Sequence, residues 1–195
     1  MLVIGNGESR KNINISKLDG PKVGCNAIFR DYFTDHIVCV DKRMVEEAIL
    51  SQANIKGSFI YTRPDWFQQY KTIRVRSLPN LPYEGTERWD EPFNWGSGPY
   101  AVLLGAMLSK KQTVNLVGYD LFSKTRFVNN IYKNTQNYDS EDKRAVDPRY
   151  WIHQIFKIFE YYNKKEFIIY NSKDWELPQA WNLPNVKVDN INSLV

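Results

Sequence analysis

No stretch of this sequence stays apolar for the roughly 18 residues that a membrane span requires. The N-terminus is apolar only from Met1 to Ile4 before Gly5 and Glu8 intervene, so it lacks the longer hydrophobic core of a secretory leader. A cytoplasmic location is the expectation. Cysteine is scarce: Cys25 and Cys39 are the whole complement. Each sits in a short apolar run of the kind that becomes a buried strand, so both read as small core residues and not as bridge partners. A basic block is also missing. The formal net charge is only +4 and the Lys and Arg residues are scattered, which favours a small anionic ligand over nucleic acid. The densest pairs, Lys110 with Lys111 and Lys164 with Lys165, fall where helices should end, a place that favours cations in any case. No Gly-Lys-Ser or Gly-Lys-Thr marks a Walker loop.

What is present is ordinary for a globular chain: 43% hydrophobic and 25% charged residues. A length of 195 residues supports one substantial core, so residues 1–195 are read as a single α/β domain. Residues 2–4 form a short apolar run stopped by Gly5, a buried strand feeding a glycine turn. Residues 23–25 and 37–40 read as further strands, and Asp41 then caps a helix over about 42–52. Residues 58–61 supply the next strand. Alternation of this kind predicts a mostly parallel sheet flanked by helices.

From 62 to 96 the pattern degrades, with Pro64, Pro79, Pro82 and Pro92 punctuating a segment that holds Trp66, Trp89 and Trp95. It reads as an aromatic-rich excursion, either a lid or acceptor-binding region or a flap wrapped on the core. Order returns with an apolar helix over 97–109 and a buried strand over 113–117. A polar insertion at about 123–146, rich in Asn and Lys, is expected to interrupt the sheet and to lie over the surface or be partly disordered. Residues 149–163 then form an amphipathic helix and 167–170 a strand.

The residues with chemical potential collect at strand ends, where open parallel sheets bind ligands. In LVIGNGES, Gly5 permits the turn, Gly7 lets backbone approach a phosphate or ribose, and Ser9 can donate to an oxyanion. Arg10 stands where a dinucleotide fingerprint has its third glycine, which argues against an NAD or FAD site. The next two strands end at Asn26 and Asp41, side chains able to hydrogen-bond a ribose, base or sugar, although both types also form turns and caps. In GSGPY, Ser97 and Gly98 open the clearest helix with Pro99 in its first turn, a helix start that offers unpaired amides to an anion. Asp120 follows a buried strand and can orient a hydroxyl or act as a base.

This set, GNG-x-S on the first strand, CN on the second, SG opening a later helix and G-x-D after the next strand, resembles the bacterial sialyltransferases of glycosyltransferase family 42. The likeness covers residues 2–41 and 96–122. It implies a Rossmann-like fold and a nucleotide-sugar donor such as CMP-sialic acid, with no cofactor or metal. It places Asn6 and Ser9 on phosphate and sugar, Asn26 on the nucleotide, and Ser97 with Gly98 along the donor site. The departures are Asp41 in place of the family's Asn and Phe122 in place of a tyrosine. Tyr132 and Tyr138 can replace that hydroxyl only if the insertion folds back. The family's histidine before the late helix is also missing, and His153 lies a turn inside the helix instead.

The expectation is therefore a nucleotide-sugar-dependent glycosyltransferase with Gly5, Asn6, Gly7, Ser9, Asn26, Asp41, Ser97 and Gly98 around the nucleotide and Asp120 or His153 as acid or base. The rivals are a non-catalytic nucleotide-binding protein of the same fold, a pterin diphosphokinase-like enzyme using Mg²⁺ on Asp41 and Asp120, and an assembly protein with an exposed Trp and Tyr face. The partner is a nucleotide or nucleotide sugar in each of the first three, and a homo-oligomer is left open.

Overall fold

The computed structural model describes residues 1–123 and 125–194. Eight strands form one sheet: β1 (Leu2–Ile4), β2 (Lys22–Cys25), β3 (His36–Val38), β4 (Phe59–Thr62), β5 (Val75–Ser77), β6 (Thr113–Val117), β7 (Glu166–Asn171) and β8 (Val186–Asn190). All neighbours are parallel, in the order β5-β4-β3-β2-β1-β6-β7-β8. The fold is a Rossmann-like α/β sheet. From β1 the chain winds outward to the β5 edge, crosses back over the sheet, and winds from β6 to the β8 edge. The direction reverses between β1 and β6, which fixes where a ligand crevice opens.

Strand alternation sorts the core onto the two faces. Val3, Cys25, Val38 and Leu116 pack against α3 (Ser97–Leu108) and α4 (Arg149–Tyr161). Leu2, Ile4, Ile37, Cys39 and Ile60 pack against α1 (Lys42–Leu50). Cys25 and Cys39 are therefore buried, free and on opposite faces. Helix α3 is buried almost all round because it lies between the sheet and a wrapped segment. It approaches β1 so closely that a Cβ on Gly105 would overlap the Val3 side chain. Side-chain burial on this scale supplies most of the folding free energy, at about 25 cal/mol per Å² of apolar surface.

The segment 62–96 holds more regular structure than its prolines suggest. Pro64 occupies the first turn of α2 (Pro64–Gln69), where its missing N–H costs nothing, and β5 follows with Val75 as its buried residue. The second half is a wrapped flap: Trp95 is fully buried against α3, and the Gln154 amide of α4 donates to the Trp89 and Asn94 carbonyls at 3.3 and 3.1 Å. All six tryptophans are buried or half-buried, so none stands fully exposed as part of an assembly face.

The insertion also differs from expectation. It leaves the sheet continuous, since β6 and β7 pair over five residues, and it builds up the rim at the strands' C-terminal ends. Ile131 donates its amide to the Asn6 carbonyl at 2.9 Å and Tyr132 is buried. Arg30 lies 5.6 Å from the ring centres of both Tyr132 and Tyr138 and bonds Thr135 and the Gln136 carbonyl. Cation–π and hydrogen-bond pinning thus add to the core contacts of Ile131, Tyr132 and Tyr138. Strand β8 is an edge with one buried residue, Val186, and so carries almost no alternation signal.

Where β1 and β6 run on into their loops, the backbones touch. Gly5 donates to the Val117 carbonyl at 2.8 Å and Gly7 to the Gly118 carbonyl at 2.9 Å, and a Cβ on Gly5 would run into the Gly118 carbonyl oxygen. Backbone cannot yield as a side-chain tip can. Gly5→Ala is expected to lower stability by about 2 kcal/mol or more, measured by urea unfolding. An unchanged midpoint would show that the two loops separate freely.

Candidate functional site

Two loops meet at the reversal point, and one carboxylate joins them. Asp120, which follows β6, accepts the Ser9 amide at 2.9 Å through Oδ2 and the Ser9 hydroxyl through Oδ1. Asn171, at the end of β7, reaches the same Oδ1 at 3.5 Å. Gly7 is glycine here because any Cβ would overlap the Asp120 carboxyl group. The carboxylate thus occupies the donors that a glycine turn otherwise offers to a phosphate. Beneath this turn lies Arg10, only 2% exposed. Its Nε donates to the Gly5 carbonyl at 2.6 Å and its Nη2 to Asn6 Oδ1 and the Tyr132 hydroxyl at 3.4 and 3.3 Å. Asn6 in turn donates to the Tyr138 hydroxyl at 3.3 Å. The insertion does fold back, but both tyrosine hydroxyls are used to hold the first two strand ends.

Above the turn opens a cleft of about 260 Å³, just under the ~300 Å³ lower end of small-molecule sites. It brings together Gly5, Asn6, Gly7, Asn26, Asp41, Ser97, Gly98 and Asp120 from the residues singled out in the sequence. Ser9 stays outside its lining, engaged with Asp120. Residues the sequence gave no reason to choose complete it: Tyr119 and Leu121 after β6, Asn129 and Asn130 from the insertion, and Trp151 and Ile155 one turn apart on α4. Only the i, i+4 spacing of Trp151 and Ile155 was a readable sign that both share a face.

Two features of this cleft carry a conformational or polar cost. Asn26 has φ +50° and Leu121 has φ +65°, a left-handed backbone that non-glycine residues adopt under constraint and that collects at functional sites. The Asn26 Oδ1 atom is also buried with no hydrogen-bond partner, and buried polar atoms are rarely left so. At the opposite wall, Gly96 is the N-cap of α3 and Ser97 its first residue. The Ser97 hydroxyl accepts the Val40 amide at 3.0 Å, so it fastens the end of β3 and does not cap its own helix. The amides of Ser97 and Gly98 find no acceptor among the described residues. A Cβ on Gly98 would meet nothing closer than Tyr119 at 3.8 Å. The fold therefore does not require glycine there; the open space belongs to the cleft.

The charge balance is unusual for an anion site, because among the described residues no Lys or Arg lines the cleft and two carboxylates do. Asp41 holds the N-cap position of α1 without a side-chain cap bond and makes no side-chain hydrogen bond with a described residue. Cys25 also lines the cleft, but burial pushes its thiol up to about 12, which removes it as a nucleophile at neutral pH. Among the described residues no group of three or more His, Cys, Asp or Glu side chains is placed to hold a metal ion. No helix there is long and apolar enough to cross a membrane.

His153 is brought to a different place. It does not line the cleft, and its Nε2 lies 2.7 Å from Asp90 Oδ1 in the wrapped flap, with the Trp89 ring edge-on at 5.3 Å. Asp90 also accepts the Glu87 amide at 3.0 Å and the Tyr83 hydroxyl at 3.2 Å. Comparison of the chain with protein-family models, curated proteins and solved structures finds no match.

Burial alone would raise the Asp90 carboxyl, yet the His153 contact, the Glu87 amide and the Tyr83 hydroxyl together hold it below its ordinary 3.8. A depressed carboxylate contributes stability that is full above the ordinary value and is lost as pH falls through the folded one. Asp90→Asn is therefore expected to lower the unfolding temperature near neutral pH, with the gap to the native protein narrowing as pH falls below the ordinary 3.8. A gap independent of pH would assign the loss to packing alone.

Proposed function

We propose that the cleft binds a nucleotide with its phosphate on the first turn of α3, and that the protein uses a nucleotide-sugar donor to glycosylate a hydroxyl acceptor. The observation that carries this reading is the pair of unpaired amides at Ser97 and Gly98, with open space above Gly98. Such a helix start holds an anion by directed N–H groups and by the partial positive charge of the helix end. The unpartnered Asn26 carbonyl on the facing wall then accepts an N–H or O–H of the base or ribose.

The Rossmann-like sheet is consistent with nucleotide binding in general. The resemblance to family 42 sialyltransferases supplies the narrower part of the proposal, with CMP or a similar nucleotide as the leaving group. Transfer with inversion needs one group to take the acceptor proton as the hydroxyl attacks. Asp41 is the cleft carboxylate that no described residue engages, and it serves as that base; Asp120 frames the glycine turn and orients the site. The Mg²⁺-dependent diphosphokinase reading gains no support, because Ser9 already occupies both oxygens of Asp120.

A second reading, nucleotide binding without catalysis, is favoured by one specific observation. Of the two acid or base residues singled out in the sequence, His153 is paired with Asp90 away from the cleft and Asp120 is engaged by Ser9. Hydrolysis of a nucleotide sugar separates the two readings, since only the transferase consumes it and only the transferase loses that activity in Asp41→Asn.

Binding itself is tested by thermal shift with nucleoside mono- and diphosphates, with and without Mg²⁺. A ligand at a hundred times its Kd adds roughly 2.7 kcal/mol of stability. Gly98→Ala is expected to unfold within about 0.5 kcal/mol of the native protein while losing most of the nucleotide-induced shift. No shift with any nucleotide, or an undiminished one in Gly98→Ala, overturns the assignment.

A further inference from the structure

The lip of the cleft carries a feature that nucleotide binding leaves unused. Directly after the strained Leu121, Phe122 stands 39% exposed. Its ring lies nearly parallel to that of Trp175, at 9° with centroids 6.2 Å apart, so that Trp175 backs the Phe122 ring in an offset stack. Both residues hang from a single atom. The Asp120 carbonyl oxygen accepts the Phe122 amide at 2.8 Å and the Trp175 indole N–H at 2.9 Å. From the insertion, Asn129 donates through Nδ2 to the Phe122 carbonyl at 3.1 Å and accepts the Glu8 amide at 2.8 Å.

An isolated exposed phenylalanine needs no explanation. This one is fixed to Asp120 and Asn129, both of which line the cleft, so the ring pair is held beside the nucleotide site without lining it. Its residues do not belong to a free loop tip. A cleft of about 260 Å³ accommodates the nucleotide end of a ligand and leaves a sugar to lie across the rim. A pyranose presents an apolar face of C–H bonds and a periphery of hydroxyls. The face matches the Phe122 and Trp175 rings, and the periphery matches the amide of Asn129 and the hydroxyl of Ser123, which among the described residues meets the Thr125 hydroxyl and amide.

We propose that Phe122 and Trp175 form a stacking platform for a pyranose ring at the mouth of the cleft. The assignment rests on the nucleotide reading of the cleft for its neighbour, and it places a sugar where the family resemblance calls for a tyrosine hydroxyl. Donor and acceptor sugars present the same C–H face, so the chemistry is shared and the source is a matter for the experiment.

The full-length protein, Phe122→Ala and Phe122→Tyr are titrated with methyl pyranosides, with CMP and UDP, and with CMP- and UDP-sugars. Saturation-transfer NMR and tryptophan fluorescence are the readouts. The expected result is saturation strongest on the ring protons of one sugar face, sugar affinity weakened about tenfold in Phe122→Ala and kept in Phe122→Tyr, and bare-nucleotide affinity equal in all three. Methyl pyranosides that bind beside CMP or UDP identify the acceptor's sugar. A nucleotide sugar that outbinds its bare nucleotide by a margin lost in Phe122→Ala identifies the donor's. Two outcomes overturn the platform: no contact with any sugar in either form, or sugar binding that Phe122→Ala leaves unchanged. Sugar contacts that survive when no nucleotide binds would remove the nucleotide reading and leave the platform standing.

Discussion

The arrangement at the reversal point depends on the Asp120 carboxylate spanning two loops. Without it, the β1 turn and the β6 turn are two glycine-rich segments held by a pair of backbone hydrogen bonds. With it, Ser9 is fixed through two hydrogen bonds that it donates, Gly7 is forced to be glycine, and the Asp120 carbonyl is aimed so that Phe122 and Trp175 both reach it. A charge-assisted hydrogen bond to an ionised acceptor is roughly twice as strong as a neutral one. In a half-buried setting, removing the acceptor would leave the Ser9 amide and hydroxyl without partners.

That use of Asp120 shifts the recognition of an anion elsewhere. In many nucleotide folds the first glycine turn itself holds the phosphate; here a side chain of the protein already sits against Ser9. The vacant donors lie across the cleft at the start of α3, where Gly96 ends the extended chain and Ser97 is held by Val40. The sheet thus presents a turn satisfied from within and a helix start left open, and the two face each other over Asn26, whose backbone and side chain are both held in unfavourable states.

Much of this was legible. The apolar runs ending at Gly5, Asn26, Asp41 and Gly118 marked strands whose parallel pairing the structure bears out, and six of the residues chosen there line one cleft with Ser97 and Gly98 of the helix start. What was not legible has physical reasons. Strand β8 buries one residue and α2 begins at a proline, so neither produces a periodic apolar signal. The insertion reads as polar because its order comes from Arg30 between two tyrosines and from hydrogen bonds to Asn6 and Glu8. Partners more than a hundred residues apart leave no local pattern. His153 carried the right chemistry for a base, but its partner Asp90 lies in the flap, and nothing along the chain announces which face of α4 meets which loop.

Arg10 is a cation enclosed in protein with no carboxylate of a described residue to neutralise it. Its field is consequently spent not on a partner but on whatever lies nearby through a medium that screens poorly, and it reaches Cys25 in the cleft wall, where it opposes the effect of burial on the thiol. A pocket whose visible lining is neutral or acidic thus has one buried cation beneath its glycine turn, opposite in sign to Asp41 and Asp120. Salt does little to dilute that one charge, because counterions have no route to the guanidinium.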